Sequence, residues 1–467
     1  MISSNILSEF SENTAIITPD SKQYTYKELL GYTHNIAENL KPRSLVFCLS
    51  NNSIGSLAGY LSFIINKVAP VMLDSNLDKE LLDNLIMTYK PEYLWMPEKN
   101  TNSIEGGELV INILGYSLMK LFCEKDYLLH DDICLLLTTS GSTGSPKLVK
   151  LTYENVYSNA ESISEYLSID KNERPITSLP MHYSFGLSII NSHLIKGATI
   201  LLTNNSLMEK KFWPFLKTYK ATSLSGIPYS FEILKKLRFF NMDLPYLKTI
   251  TQAGGKLNDD LNRECSDFCK KTCKRFFVMY GQTEATARMS YLPPEYSISK
   301  LGSMGIAIPG GEFSLIDENG NIIKESDREG ELVYKGKNVS MGYAVCRADL
   351  AKGDENNGVL VTGDMAKRDS DGYYYIVGRK KRFIKLFGNR VNLDETERLL
   401  KNIISDCACS GQDDEMMIYI TDDNRVDEIK SYIAQKLGIN HKAFVVKCIS
   451  KIPKNSSGKT IYSRLAV

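Results

Sequence analysis

From residue 26 to 74, and again from 147 to 280, helical spacing alternates with short apolar runs. Residues 26–40 and 53–66 have helical periodicity, while 44–49 and 69–73 are apolar runs of strand length, the second ending at Asp74. The beat resumes with strand-like runs at 147–151, 176–179, 199–202, 222–224, 249–252 and 276–280. Helices are expected between them: 152–167 capped by Thr152, 187–195, 212–219, one running to 237, and 257–272. Such a chain lays helices over a largely parallel sheet. Ligands of these sheets sit beyond the carboxyl ends of the strands. Four such ends carry unusual residues, Ser140, His182, Gly254 and Tyr280, and are expected to line one cleft.

One of those ends is a loop with its own chemistry. The apolar run from Leu135 breaks into Thr139-Ser-Gly-Ser-Thr-Gly-Ser-Pro-Lys147. Glycines let a backbone approach a ligand without a Cβ in the way. Successive backbone N–H groups form a concave anion site. Hydroxyls from Ser140, Ser142 and Thr143 and the charge of Lys147 suit a polyphosphate. Taken alone, the composition fits a solvated Ser/Gly linker equally well. The spacing Gly141-x-x-Gly144-x-x-Lys147 is not the GxxxxGK[ST] of a P-loop hydrolase or kinase, which argues against that class.

The 467 residues are enough for about three domains. A formal net charge of +1 gives no reason to expect a nucleic-acid surface. The first ten residues lack a basic segment and a long apolar core, and no apolar run reaches the roughly 18 residues of a membrane helix. A cytoplasmic protein is expected, with its ten cysteines reduced. Cys265, Cys269 and Cys273 fall on one helix face and, like Cys407 and Cys409, are expected to be structural rather than metal ligands.

Between 300 and 376 short strands and glycine turns replace the alternation, as in Gly330–Gly336 and 371–376, which predicts an antiparallel β region. After the basic stretch Gly378-Arg-Lys-Lys-Arg382 comes a small α+β unit, with strands at 383–386, 416–420 and 444–449 and helices at 393–404 and 426–437. The expected architecture is a large N-terminal α/β domain, 1–378, and a small mobile C-terminal α+β domain, 379–467.

Assembled in order, these stretches resemble the adenylate-forming superfamily of acyl-CoA synthetases, adenylation domains and luciferase-like enzymes, over essentially the whole chain. Tyr24-Thr-Tyr-Lys-Glu-Leu29 and Ala69-Pro-Val-Met-Leu-Asp74 match its early motifs. The loop 139–147 resembles its phosphate clamp, so Thr139, Ser140, Gly141, Ser142, Thr143, Gly144 and Lys147 are implied ATP contacts. Gly254 and Gly255 match the turn along adenine. Tyr280-Gly-Gln-Thr-Glu284 matches YGxTE: Tyr280, followed by Gly281, is implied to stack on adenine, Thr283 to meet the α-phosphate and Glu284 to hold Mg²⁺. Thr362-Gly-Asp364 resembles the ribose-binding TGD, supported by Arg379, and Pro453-Lys-Asn-Ser-Ser-Gly-Lys459 the loop whose lysine drives adenylation. Lys381 falls at the hinge.

The resemblance implies ATP-dependent activation of a carboxylic acid as its adenylate, release of pyrophosphate, and transfer to a thiol, either coenzyme A or the phosphopantetheine of an acyl carrier protein. An amine acceptor and a non-catalytic protein on the same fold are the alternatives. Two departures bear on the acceptor: the compressed turn Gly411-Gln-Asp-Asp-Glu415, and Phe387 where a lysine is usual. In Leu179-Pro-Met-His-Tyr-Ser-Phe-Gly186, His182 stands where amino-acid-activating members carry an Asp, which disfavours α-amino acids. The acyl pocket is expected from His182, the gate Tyr183, Ser225, Gly226, Tyr229, Ala253, Met279 and Arg288. For Arg288 a surface or structural role is weighed against contact with a polar or anionic acyl group. A small or medium acid is expected.

Overall fold

A computed structural model describes residues 3–103, 106–122, 127–138, 147–455 and 458–465. The candidate contacts Thr139, Ser140, Gly141, Ser142, Thr143 and Gly144 lie outside the described residues. Contacts divide the chain into two compact units, 1–312 with 334–360, and 313–333 with 361–467.

The first unit holds two mixed sheets. One has eight strands, with Tyr93–Pro97, Leu45–Ser50, Ala69–Asp74 and Ile133–Thr138 adjacent and parallel at its centre. Leu45–Ser50 is buried at every position, as a strand covered on both faces must be. Leu148–Thr152 pairs antiparallel with Ile133–Thr138. A parallel return would need a connection of a dozen residues or more, longer than the nine positions available. The other sheet has nine strands, with a parallel run through Ile200–Leu201, Pro175–Ile176, Ser223–Gly226, Thr249–Gln252 and Arg275–Tyr280. The expected strand 176–179 is thus only Pro175–Ile176.

Helix starts follow their caps. Thr25 and Thr152 form capping boxes with Glu28 and Asn155, and Ser53 and Asn258 accept backbone N–H groups from Ser56 and from Asp260 and Leu261. Helix Asp259–Lys271 buries Cys265 and Cys269, and burial pushes the Cys269 thiol up to about 12, where it stays protonated and unreactive. Cys273 lies past the helix end and is exposed. No helix among the described residues is long and apolar enough to cross a membrane.

The second unit carries most of a four-stranded sheet, in the order Gly311–Ile316, Gly330–Gly336, Val359–Arg368, Tyr374–Arg379. It continues through the hairpin Phe383–Leu386/Asn389–Asn392 into a three-stranded sheet, Cys407–Gln412, Glu415–Ile420 and Phe444–Cys448, with helices Leu393–Leu400 and Val426–Leu437. Leu386, Leu400, Cys409, Ile418, Ile429 and Phe444 form its core. The segments 313–333 and 361–378, assigned from sequence to the large domain, group here with the C-terminal part. Lys380 Nζ meets Glu331 Oε2 at 2.7 Å, and Asn392 Nδ2 donates to the Val377 carbonyl at 2.8 Å.

Candidate active site

In the first unit the parallel strands end in polar, glycine-rich turns. Gly254 has φ +84°, and a Cβ there would lie 2.8 Å from Tyr183 Oη and 2.9 Å from Ile227 Cγ2. Glycine is required on both counts. Ser225, Gly226, Ala253 and Met279 are buried, whereas Tyr229 is 52% exposed on the first turn of helix Pro228–Lys236. His182 Nε2 lies 3.8 Å from Asp74 Oδ2, and its Nδ1 is buried. Burial lowers the imidazole pKa, with Asp74 opposing, so the ring is neutral at pH 7. Ser184 Oγ and Thr283 Oγ1 are 3.3 Å apart.

Glu284 stands in a row of three charged or polar groups. Tyr343 donates to Glu284 Oε1 at 2.6 Å, and Lys147 Nζ lies 5.4 Å from the centre of the Tyr343 ring. Burial, and then the neighbouring carboxylate, push the Tyr343 phenol up, so it remains a donor. Sequence reasoning missed Tyr343, whose distance of 59 positions from Glu284 leaves no local signal.

The chain just past Glu284 is strained. Thr286 has φ 67° and ψ −60°, and the Ala287 N–H donates to the Ala285 carbonyl at 2.7 Å. This is a positive-φ γ-turn, rare for any residue and costly for a β-branched one. Gly281 permits it, since a Cβ there would sit 1.7 Å from the Ala287 oxygen. Asn338 holds it in place. Its Nδ2 donates to the Ala285 and Arg288 carbonyls at 2.9 and 3.2 Å, its Oδ1 accepts from Tyr334 at 2.9 Å, and its own carbonyl accepts from Thr286 Oγ1 at 2.8 Å. Ser340 N donates to the Glu284 carbonyl at 2.9 Å. Replacing Asn338 by Ala strips these donors from buried carbonyls. The expected cost is about 1–3 kcal/mol in urea unfolding, with a larger proportional loss of activity because the turn aims Thr283 and Glu284. Thr286→Gly, which accepts the positive φ, should cost less.

Arg288 is 2% exposed and therefore not a surface residue. It donates from Nε to Ser188 Oγ at 3.2 Å and from Nη1 to Tyr166 Oη at 3.1 Å, and its guanidinium lies 5.0 Å from the centre of the Phe185 ring. His193, fully buried, shares this environment. Burial and then the Arg288 charge take its pKa down to about 4, while its Nδ1 donates to the Ile189 carbonyl at 2.7 Å, which opposes the shift. Between the unfolded value near 6.5 and that lowered value, the folded chain binds fewer protons than the unfolded one. Stability must therefore fall as pH drops through that window, by ~3 kcal/mol from this group. Urea unfolding at neutral and mildly acidic pH checks it, and His193→Asn should flatten that part of the slope.

In the second unit Asp364 and Arg379 are cross-strand partners, with Arg379 Nε 3.6 Å from Asp364 Oδ1. Gly363 has φ +72°, and the Asp364 N–H donates to Thr362 Oγ1 at 3.1 Å. The Thr-Gly-Asp turn thus keeps a buried carboxylate beside an exposed guanidinium. Lys459 is fixed at its backbone. Its N–H donates to Asn455 Oδ1 and its carbonyl accepts from Asn455 N, both at 2.9 Å. Three residues on, Tyr462 donates to Glu397 and lies under Arg382, whose guanidinium is 4.0 Å from the ring centre and is paired with Asp394 and Glu397. Lys381 is exposed in the turn Lys380–Arg382.

A family model described as AMP-binding enzyme matches residues 6–344, and the chain belongs to that family. The 2-succinylbenzoate–CoA ligase of Bacillus subtilis (strain 168) is 26% identical over 478 residues, covering 97% of this chain and 95% of that protein. A feruloyl-CoA synthase of an Amycolatopsis species is 26% identical over 344 residues, covering 71% of this chain and 69% of that one. Among solved structures, o-succinylbenzoate CoA synthetase (MenE) from Bacillus subtilis with its acyl-adenylate intermediate OSB-AMP superposes with a TM-score of 0.81 at 22% identity, covering 99% of this chain and 98% of that one. ATP-bound MatB from Rhodopseudomonas palustris gives 0.80 at 20% identity, covering 99% and 98%. These structures share the fold, and the expected layered α/β architecture with a small C-terminal α+β part is borne out.

Proposed function

We propose that this chain is an AMP-forming acid–thiol ligase. A carboxylate oxygen of the acid attacks the α-phosphorus of ATP, the bond to the bridging oxygen breaks, and pyrophosphate leaves. A thiolate then attacks the acyl carbon and AMP departs. Membership of the AMP-binding enzyme family supports the nucleotide chemistry, and the relatives named as CoA ligases support the thiol. The observation that carries it is the Lys147–Tyr343–Glu284 row, a cation, a protonated phenol and a carboxylate next to Thr283. Tyr280, Gly281, Gly254 and Gly255 are assigned to adenine, Thr283 to the α-phosphate, Asp364 and Arg379 to the ribose, and the loop 139–147 to the outer phosphates.

Glu284 fits a Mg²⁺ ion brought in with the nucleotide. Among the described residues no three His, Cys, Asp or Glu side chains form a metal cluster, and nucleotide-bound Mg²⁺ is typically held by one or two carboxylates plus phosphate oxygens. When bound, the ion neutralises charge on the leaving phosphates. Tyr343 holds the Glu284 carboxylate in one orientation. Lys459 supplies positive charge where two anions must meet, so positioning and electrostatics do the work and no general base is needed. His182, neutral beside Asp74, Tyr183 at the gate, and Ser225, Gly226, Ala253, Met279 and Arg288 are assigned to the acid, and Lys381 to the pivot of the C-terminal part.

The test is acid-dependent exchange of labelled pyrophosphate into ATP over a panel of carboxylic acids. An absence of exchange with every acid would refute the assignment. Coenzyme A is the favoured acceptor. A carrier protein is the second reading, favoured by Phe387, which is 55% exposed and held at φ 49° on a hairpin tip. Efficient thioester formation with coenzyme A alone would remove that reading.

A further inference from the structure

Among the described residues nothing balances the charge of Arg288. Its interactions are all with neutral groups: Ser188 Oγ, Tyr166 Oη, Met279 Sδ at 3.5 Å, and the face of Phe185. Among the described residues no Asp or Glu oxygen lies within 4.0 Å of it. The buried groups that feel its charge do not answer it. His193 is neutral, and burial raises the pKa of the Tyr166 phenol even against the arginine's pull. A guanidinium 2% exposed and without a counter-ion is an expensive thing for a fold to retain. Such a charge is kept where something from outside completes it.

The location says what that something is. Met279, touched by the guanidinium, directly precedes Tyr280 at the end of its strand. Phe185, beneath the guanidinium, meets the ring of Tyr183 at 6.4 Å, and Tyr183 Oη closes on Gly254. Arg288 thus sits behind the groups assigned to the acid and to adenine. Around it, Tyr166 stacks on Tyr291 at 4.3 Å with the rings 7° apart and leans on Phe277, an aromatic wall and not a polar shell.

Resting on the ligase assignment above, we infer that Arg288 is the specificity-determining counter-charge for a second anionic group, and that the substrates are acids carrying two: one oxyanion to be adenylated and one to pair with the guanidinium. A planar guanidinium meets a carboxylate in bidentate fashion, which also fixes the reacting end in register. α-Amino acids and plain fatty acids lack the second anion.

The experiment compares dicarboxylic acids, short aliphatic and benzene-based, with their mono-amides of the same shape. Pyrophosphate exchange is run with the wild type, Arg288→Met and Arg288→Lys. The wild type should prefer the diacid in kcat/KM by about 10²-fold or more. Arg288→Met should erase that preference, chiefly through a higher KM for the diacid, and Arg288→Lys should restore part of it. Because the variant removes an unpaired buried charge, Arg288→Met should melt at or above the wild-type temperature. A purely structural arginine predicts the opposite: a lower melting temperature and an unchanged diacid-to-amide ratio, and that pair of results would overturn the inference. Failure of the ligase assignment would look different, with no exchange for any acid. The anion site then stands or falls on thermal shifts: diacids raising the wild-type melting temperature but not that of Arg288→Met support it, and equal shifts in both sink it.

Discussion

Lys459→Ala is expected to lower acid-dependent pyrophosphate exchange by ~10²–10³, the usual loss when one preorganised group aimed at developing charge is removed. The Lys459 backbone is bonded both ways to Asn455, and Gly458, at φ +73°, makes the turn between them. Downstream the chain is anchored by Tyr462 on Glu397 and Arg382. These backbone bonds and the downstream anchor remain in the variant, and thermal and urea unfolding measured alongside separate a loss of chemistry from a loss of fold. The loss should also be confined to one step. Transfer from a preformed acyl-adenylate to a thiol requires no neutralisation between a carboxylate and a triphosphate, and it should survive within a few-fold. Wild-type exchange by Lys459→Ala would remove the lysine from the chemistry. Equal loss of both steps would instead mean that the loop around it had been disturbed.

What could be read in advance divides by range. The helices read at 26–40 and 53–66 were legible from their periodicity, and the one at 152–167 also from its Thr152 cap. Strands such as Leu45–Ser50 and Thr249–Gln252 were legible as apolar runs. Pro175–Ile176 was over-extended because Leu179, though apolar and buried, is packed outside any strand. The direction of Leu148–Thr152 is carried not by periodicity but by the short connection before it, a signal the sequence reading did not use. Cys407–Gln412 escaped notice because small and polar residues give little strand signal. In the site, the motif residues could be named only through their resemblance to a known family. Tyr343 on Glu284, Asn338 under the γ-turn and Asp74 beside His182 could not, because each is a contact between distant segments. Arg288 is the sharpest case: its neighbours in sequence allowed a surface position, and only its fixed partners reveal a buried cation.

Glu284→Gln separates charge from shape at the other essential position. The amide keeps the size of the side chain and an oxygen for the Tyr343 hydroxyl, which in the native chain donates at 2.6 Å. Only the negative charge is lost. If that charge holds a nucleotide-borne Mg²⁺, exchange should fall by ~10²–10³ and the Mg²⁺ concentration for half-maximal rate should rise, with KM for the acid little changed. Equilibrium Mn²⁺ binding in the presence of ATP gives a second readout that needs no turnover. Stability offers the control. The Tyr343 phenol is pushed up by burial and by the Glu284 carboxylate, so neutralising the carboxylate relieves a partly buried charge and should leave the melting temperature unchanged or raise it. Tyr343→Phe should act in the same direction but more weakly, ~10-fold, because the carboxylate remains and loses only the bond that orients it. Were Glu284→Gln to keep wild-type exchange with the same Mg²⁺ dependence, the carboxylate could not be the metal's protein ligand, and the Lys147–Tyr343–Glu284 row would have to be read as a structural clasp.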